Sequence, residues 1–252
     1  MKTLARVGYA ANGLLHILIG VLAISVAFGS SSQDADQQGA LAAIAAQPFG
    51  VFVLWAIAIG LVGLALWGVT EAILASDSDS KERWKERAKQ LGKSIAYAAI
   101  AVTAFRFATG GGSGSGDGSA ESLSARLLAT PFGVVLLLIL AAGVIAIGAY
   151  FVYKGATRKF CEDLVVPSGA AGTVTEVLGL VGYIAKGLAL VIVGILFAVA
   201  AVTADPGQAA GIDGALMTIA AAPFGTLALV VVGAGFVAYG VYSFVRARRA
   251  RL

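Results

Sequence analysis

The sequence predicts an all-α integral membrane protein: six transmembrane helices folded as three αα-hairpin repeats, related by pseudo-threefold symmetry about the membrane normal. Three observations carry that expectation. Of 252 residues, 59% are hydrophobic and 13% charged. That is about half the charge of a soluble domain, too little to build a water-facing shell. Six apolar runs reach the ~20 residues that a bilayer-crossing helix needs. The tripeptide Pro-Phe-Gly occurs three times, at 48–50, 131–133 and 223–225, each time at the door of such a run.

The runs fall near residues 8–29, 50–74, 91–109, 132–153, 177–203 and 224–245. Strands of a membrane barrel would alternate apolar and polar residues. The stretch VVLLLILAAGVIAIGAY at 134–150 does not. Gly, Ser, Asp and the basic residues gather between the runs, which reads as loops and flanks rather than as a separate soluble domain.

Internal repetition fixes the organisation. GYAANGLLHILIG at 8–20 matches GYIAKGLALVIVG at 182–194 at both flanking glycines, the tyrosine and Ala-x-Gly-Leu. GALAAIAAQPFG at 39–50 and GALMTIAAAPFG at 214–225 share nine of twelve positions, and SLSARLLATPFG at 122–133 is a degenerate third copy. Ten residues after each Pro-Phe-Gly glycine stands another glycine, Gly60, Gly143 and Gly235. Seventeen after it stands a ring, Trp67, Tyr150 and Tyr242. The unit is therefore a helix, an outer loop and a returning helix, repeated three times within one membrane domain. The copies are residues 1–76, residues 77–160 with an added linker, and residues 161–252.

Each part of the motif has a packing reading. Pro48, Pro131 and Pro223 are expected in the first turn of a returning span, where a missing N–H costs nothing. Phe49, Phe132 and Phe224 suit the outer interface, and the later ring, about 25 Å further on, suits the inner aromatic belt. Gly50, Gly133 and Gly225 complete the recurring motif. Gly60, Gly143 and Gly235 are expected to mark close helix contacts.

Orientation follows from the basic residues, which stay cytoplasmic near span ends. Sixteen lie on one side: Lys2 and Arg6, six between Lys81 and Lys93, Lys154, Arg158, Lys159, Lys186, and four from Arg246 to Arg251. Only Arg106 and Arg126 lie on the other. Both termini are expected in the cytoplasm, with the chain in the cell membrane. MKTLAR before an apolar run resembles a secretory signal, but the run is copied inside the chain and reads as structure. Anionic headgroups on the cytoplasmic side are the expected partner of this charge. The net charge of +4 lacks the interleaved aromatic face of a nucleic-acid site, so no nucleic acid is expected. KERWKERAK at 81–89 reads equally as a short amphipathic helix on the membrane surface or as a solvated loop.

The three GY…(K/N)G…PFG units, AYFVYKGATRKFCEDL at 149–164 and the arginine-rich end of YGVYSFVRARRARL at 239–252 resemble the domain of unknown function 1206 family. That family is found chiefly in actinobacteria and is built from three copies of a transmembrane helix pair. The resemblance covers nearly the whole chain and departs in the middle unit, where Gly92-Lys93-Ser94 replaces Lys-Gly or Asn-Gly. It implies architecture and no reaction.

Catalytic chemistry is not expected. The single histidine, His16, lies in a membrane span and the single cysteine, Cys161, in a loop, so they assemble neither a metal cluster nor a two-ligand haem site. No cofactor is expected. His16 is expected to hydrogen-bond between helices, and Cys161 to stay a reduced thiol. LGKS at 91–94 lacks the leading glycine of a phosphate loop, with Arg87 in its place. GGGSGSGDG at 110–118 reads as a flexible outer linker. What remains is a polar column: Asn12, Lys93 and Lys186 at matching depth, with His16 and Tyr97 one turn deeper. It reads either as a cytoplasmic vestibule or as lysines that snorkel to headgroups, and snorkelling is the expected outcome. The chain is accordingly expected to be a non-enzymatic accessory or scaffold subunit packing against a larger membrane assembly. A transporter or channel for a small solute, ion or lipid is the alternative.

Overall fold

A computed structural model describes residues 2–29, 34–74, 80–111 and 116–250. Among these, nine α-helices form: α1 Lys2–Ala27, α2 Gln37–Ala45, α3 Gly50–Leu74, α4 Ser80–Ala108, α5 Gly116–Leu128, α6 Gly133–Ala156, α7 Ala170–Thr203, α8 Ile212–Ala220 and α9 Gly225–Arg249. Six of them, α1, α3, α4, α6, α7 and α9, are long and apolar enough to cross a membrane. The protein is an all-helical, multi-pass membrane protein. The other three, α2, α5 and α8, occupy the same place in each repeat, just before Pro-Phe-Gly. They are folded elements where the sequence reading expected only loop.

The Pro-Phe-Gly motif is a turn rather than a helix start, which corrects the expectation for the prolines. Gly50 N–H donates to Gln47 O, Gly133 to Thr130 O and Gly225 to Ala222 O, at 2.9, 2.9 and 2.8 Å. Each turn thus carries proline at its second position, where a fixed φ is favoured. Phe49 and Phe224 take φ of 65° and 61°, as the third residue of a type II turn must. A Cβ on Gly133 would lie 2.6 Å from Leu128 Cα, and one on Gly225 2.6 Å from Ile219 O. Only glycine lets the span start so close to the end of the preceding short helix. The three phenylalanines are largely exposed, as interface anchors would be.

The chain forms two compact units. The first comprises the described residues within Met1–Leu14, Leu41–Ser113 and Ser243–Leu252, the second those within Leu15–Ala40 and Gly114–Tyr242. In the first, α3 packs along α4, and a Cβ on Gly60 would stand 3.1 Å from Gly8 N of α1. Arg246 lies over the Tyr9 ring at 4.5 Å. Residues 81–89 are part of α4 itself. They are neither a separate surface helix nor a loop: α4 runs ~43 Å at 1.5 Å per residue, longer than the ~30 Å hydrocarbon core.

In the second unit α6 and α7 pack along their length. A Cβ on Gly148 would meet Gly187 O at 2.7 Å, and one on Gly194 would meet Ala141 O at 3.0 Å. These densest contacts join neighbouring repeats, whereas hairpin contacts inside each repeat were expected. Contacts within a repeat occur as well, through Gly60 beside α1 and through Gly235 beside Ala185 of α7. Gly143 breaks the pattern. It is exposed with open space beside it, so Gly148, five residues on, does the close packing in α6. Tyr242 also departs from expectation: it is fully buried, a core ring rather than a belt ring. Of the linker at 110–118, residues 116–118 open α5 and residues 112–115 lie outside the described residues.

Candidate functional site

α1 and α7 carry copies of the same sequence, but one wrote His16 where the other wrote Leu190, and Asn12 where the other wrote Lys186. In the second unit that difference is used. Lys186 Nζ lies 2.9 Å from His16 Nε2. An ammonium has only donors to offer, so a charged Lys186 needs Nε2 as acceptor and places the imidazole proton on Nδ1.

His16 stands midway along its span, eleven residues from each end of Ala5–Ala27, which is ~16 Å from either end. It is buried at 2% exposure. By repeat alignment His16 lies one turn deeper than the position of Lys186, so the lysine reaches into the membrane instead of snorkelling. That corrects the expectation for Lys186. The cost of holding its charge there is offset by rings: Nζ lies 4.5 Å from the Tyr239 centroid and 5.5 Å from that of Phe151, geometry that attracts a cation. His16 itself packs against Tyr239 and Phe236.

Phe160, which carries no motif in the sequence, packs into the same unit. It lies in a 3-10 turn, Lys159–Asp163, and is completely buried. It stacks on Tyr183 at 5.4 Å and meets Tyr242 edge-on at 5.3 Å. Gly179 leaves room for its ring, and the Tyr242 hydroxyl donates to Phe160 O at 3.1 Å. Lys154 Nζ ties the turn down through Asp163 at 2.6 Å, and Arg158 bonds Glu176. Cys161 sits in this turn, and partial burial pushes its thiol up, which suits an unreactive thiol.

The other polar candidates belong to the first unit. Asn12 is buried, Tyr97 is half-buried, and Lys93 donates to Gln90 Oε1 at 3.3 Å, one turn toward the basic end of α4. Of the five, His16 and Lys186 lie within hydrogen-bond distance of each other.

A second polar constellation escaped the sequence reading. Asp36 Oδ1 caps α2 by accepting Gly39 N–H, and its Oδ2 accepts Gly116 N–H, both at 2.7 Å. Asp117 Oδ1 accepts Gly211 N–H at 2.7 Å and Gly214 N–H at 3.2 Å. Asp213 Oδ1 accepts Ala35 N–H at 2.6 Å. Each repeat thus gives one carboxylate to the backbone of the next, and the order closes on itself. Burial raises Asp36, and it raises Asp213 to about 6, with Asp117, Asp34 and Asp36 adding repulsion. The acids stand 14, 16 and 12 residues before the Pro-Phe-Gly glycines. Unequal spacing hid the correspondence.

Tandem helix pairs, a repeated Pro-Phe-Gly turn and a lysine–histidine pair define a class of repeat-built, multi-pass membrane proteins. The chain belongs to the family described as Domain of Unknown Function (DUF1206), which matches residues 7–75, 88–158 and 181–250. It is also similar to "Uncharacterized protein YxxB" of Bacillus subtilis (strain 168), 33% identical over 250 residues, covering 98% of this chain and 90% of the relative. No solved structure matches it.

Proposed function

We propose that the protein is a non-enzymatic accessory or scaffold subunit of the cell membrane, with both termini in the cytoplasm, that packs against a larger membrane assembly. The observation that carries this reading is the unequal burial of the spans. Of the most apolar windows of α6 and α4 only 17% and 22% are buried, against 44 to 50% in α1, α3, α7 and α9. Gly143, whose repeat partners Gly60 and Gly235 are packed, lies open on α6. Small residues in a membrane helix serve close backbone approach, and here the approaching helix would come from another subunit. The filled interior supports the same reading: Leu15, Ile19, Ala189, Val193 and Phe236 are all buried in the second unit. Purification from native membranes in a mild detergent tests it. A stoichiometric membrane partner is the expected result, and a chain that migrates alone at native expression level counts against it.

The second reading, a transporter for a small solute or ion, is favoured by Lys186 and His16 at mid-depth, since ionisable groups there mark transport paths by default. Its test is flux into vesicles loaded with a pH indicator. Flux that disappears in Lys186→Met would replace the accessory reading.

A further inference from the structure

In the first unit a surface groove follows the seam along which α3 packs on α4. At one end the Trp55 and Phe105 rings meet edge-on at 5.4 Å. At the other, a Cβ on Gly68 would stand 3.2 Å from Gln90 O. The groove is about 680 Å³. Its walls repeat every seven residues: Trp55, Val62 and Val69 on α3, and Leu91, Ala98 and Phe105 on α4. The one hydroxyl in its lining, Ser94 Oγ, already donates to Gln90 O at 2.9 Å.

Fourteen residues at 1.5 Å make the groove ~21 Å long. Walls that are apolar over that length suit hydrocarbon chains.

Charge decides where they come from. The seven-residue stripe of α4 continues from Leu91 to Trp84, which is 67% exposed. From Trp84 to Phe105 is ~32 Å along the axis, the thickness of the hydrocarbon core, so Trp84 marks the interface, as amphipathic rings do. Around it, residues 81–93 hold six basic residues against two acidic, Glu82 and Glu86. We propose that the end of the groove nearest Leu91 binds the acyl chains of an anionic phospholipid from the leaflet at the basic end of α4, with its phosphate at the level of Trp84. The site is distinct from the lysine–histidine pair and independent of a protein partner.

The full-length chain in detergent, supplied with equal phosphatidylglycerol and phosphatidylcholine of identical chains, tests this by native mass spectrometry. Retention of phosphatidylglycerol at least fivefold over phosphatidylcholine is expected. Ala98→Phe, at an exposed groove position, should abolish that retention, while Ile139→Phe on the exposed face of α6 should leave it unchanged. Lys89→Glu should lower the preference about fivefold or more, since each basic residue near a headgroup is worth about that factor, and Lys89→Arg should restore it. These charge variants leave the groove intact, so they stand even where Ala98→Phe fails to fold. Phosphatidylglycerol with a photoreactive acyl chain should label residues 91–105. Equal retention of the two lipids, labelling spread evenly over α6, or crosslinking of residues 91–105 to a second polypeptide would each overturn the proposal.

Discussion

Asp213 makes the ring of carboxylates sensitive to pH, and the sign is unusual for an acid. Its folded value is raised from 3.8 to about 6, chiefly by burial. The folded protein therefore holds this proton more tightly than the unfolded chain does. The associated stability is fully present below pH 3.8 and is lost as pH rises through about 6. The difference of about 2.2 units corresponds to a ceiling of ~3 kcal/mol at 1.36 kcal/mol per unit. Asp213 keeps part of its surface in water, so ~1 kcal/mol is the realistic share. Asp36 is raised for the same cause and acts in the same direction. Asp213→Asn keeps an oxygen that can accept the Ala35 N–H and removes the charge. Thermal unfolding in a neutral detergent, in steps from pH 7.5 to 4.5, is the assay. Wild type should gain stability on acidification from pH 7 to 5. Asp213→Asn should melt ~2–4 °C higher at pH 7.5 and show a shallower slope, with Asp36 supplying the remainder. A wild type that weakens between pH 7 and 5, or a variant that is less stable at pH 7.5 with its slope intact, would refute the reasoning.

Three further outcomes are expected. Gly148→Leu should destabilise by at least ~1–3 kcal/mol, because even its Cβ would stand 2.7 Å from Gly187 O and overpacked contacts cost that much, whereas Gly143→Leu should melt like wild type; the same unfolding assay compares them. His16→Leu should cost ~1–3 kcal/mol by leaving a half-buried ammonium without its acceptor, while Lys186→Met, which removes the charge and keeps the length, should be neutral or stabilising; the asymmetry is the signature. Phe160→Ala should cost ~3–5 kcal/mol for a fully buried ring and raise the reactivity of Cys161 toward a charged thiol reagent added in solution.

The residues that were legible in the sequence are those whose role is set by their neighbours along the chain. Apolar run length identified the spans, and identical spacing identified the repeats. Pro48, Pro131 and Pro223 were recognised as punctuation, but placed two residues too far into the helix, since a proline suits a β-turn as well as a first helical turn and only backbone hydrogen bonds separate the two. Gly143 was read by analogy with Gly60 and Gly235, yet a repeat copies sequence without copying the surroundings of each copy. Lys186 was read by depth alone. Its partner His16 lies 170 residues away, and a lysine long enough to snorkel is long enough to reach inward. Phe160 and the three aspartates carry no local pattern, because their partners come from other repeats.

The accessory reading depends most directly on what faces α6. A photoreactive amino acid placed at position 143 in the full-length chain, activated in native membranes at native expression level, reports it. The account predicts a crosslink to one membrane polypeptide in stoichiometric yield, absent when the reactive residue is moved to the packed position 148. Crosslinks at 143 to lipid alone would contradict it.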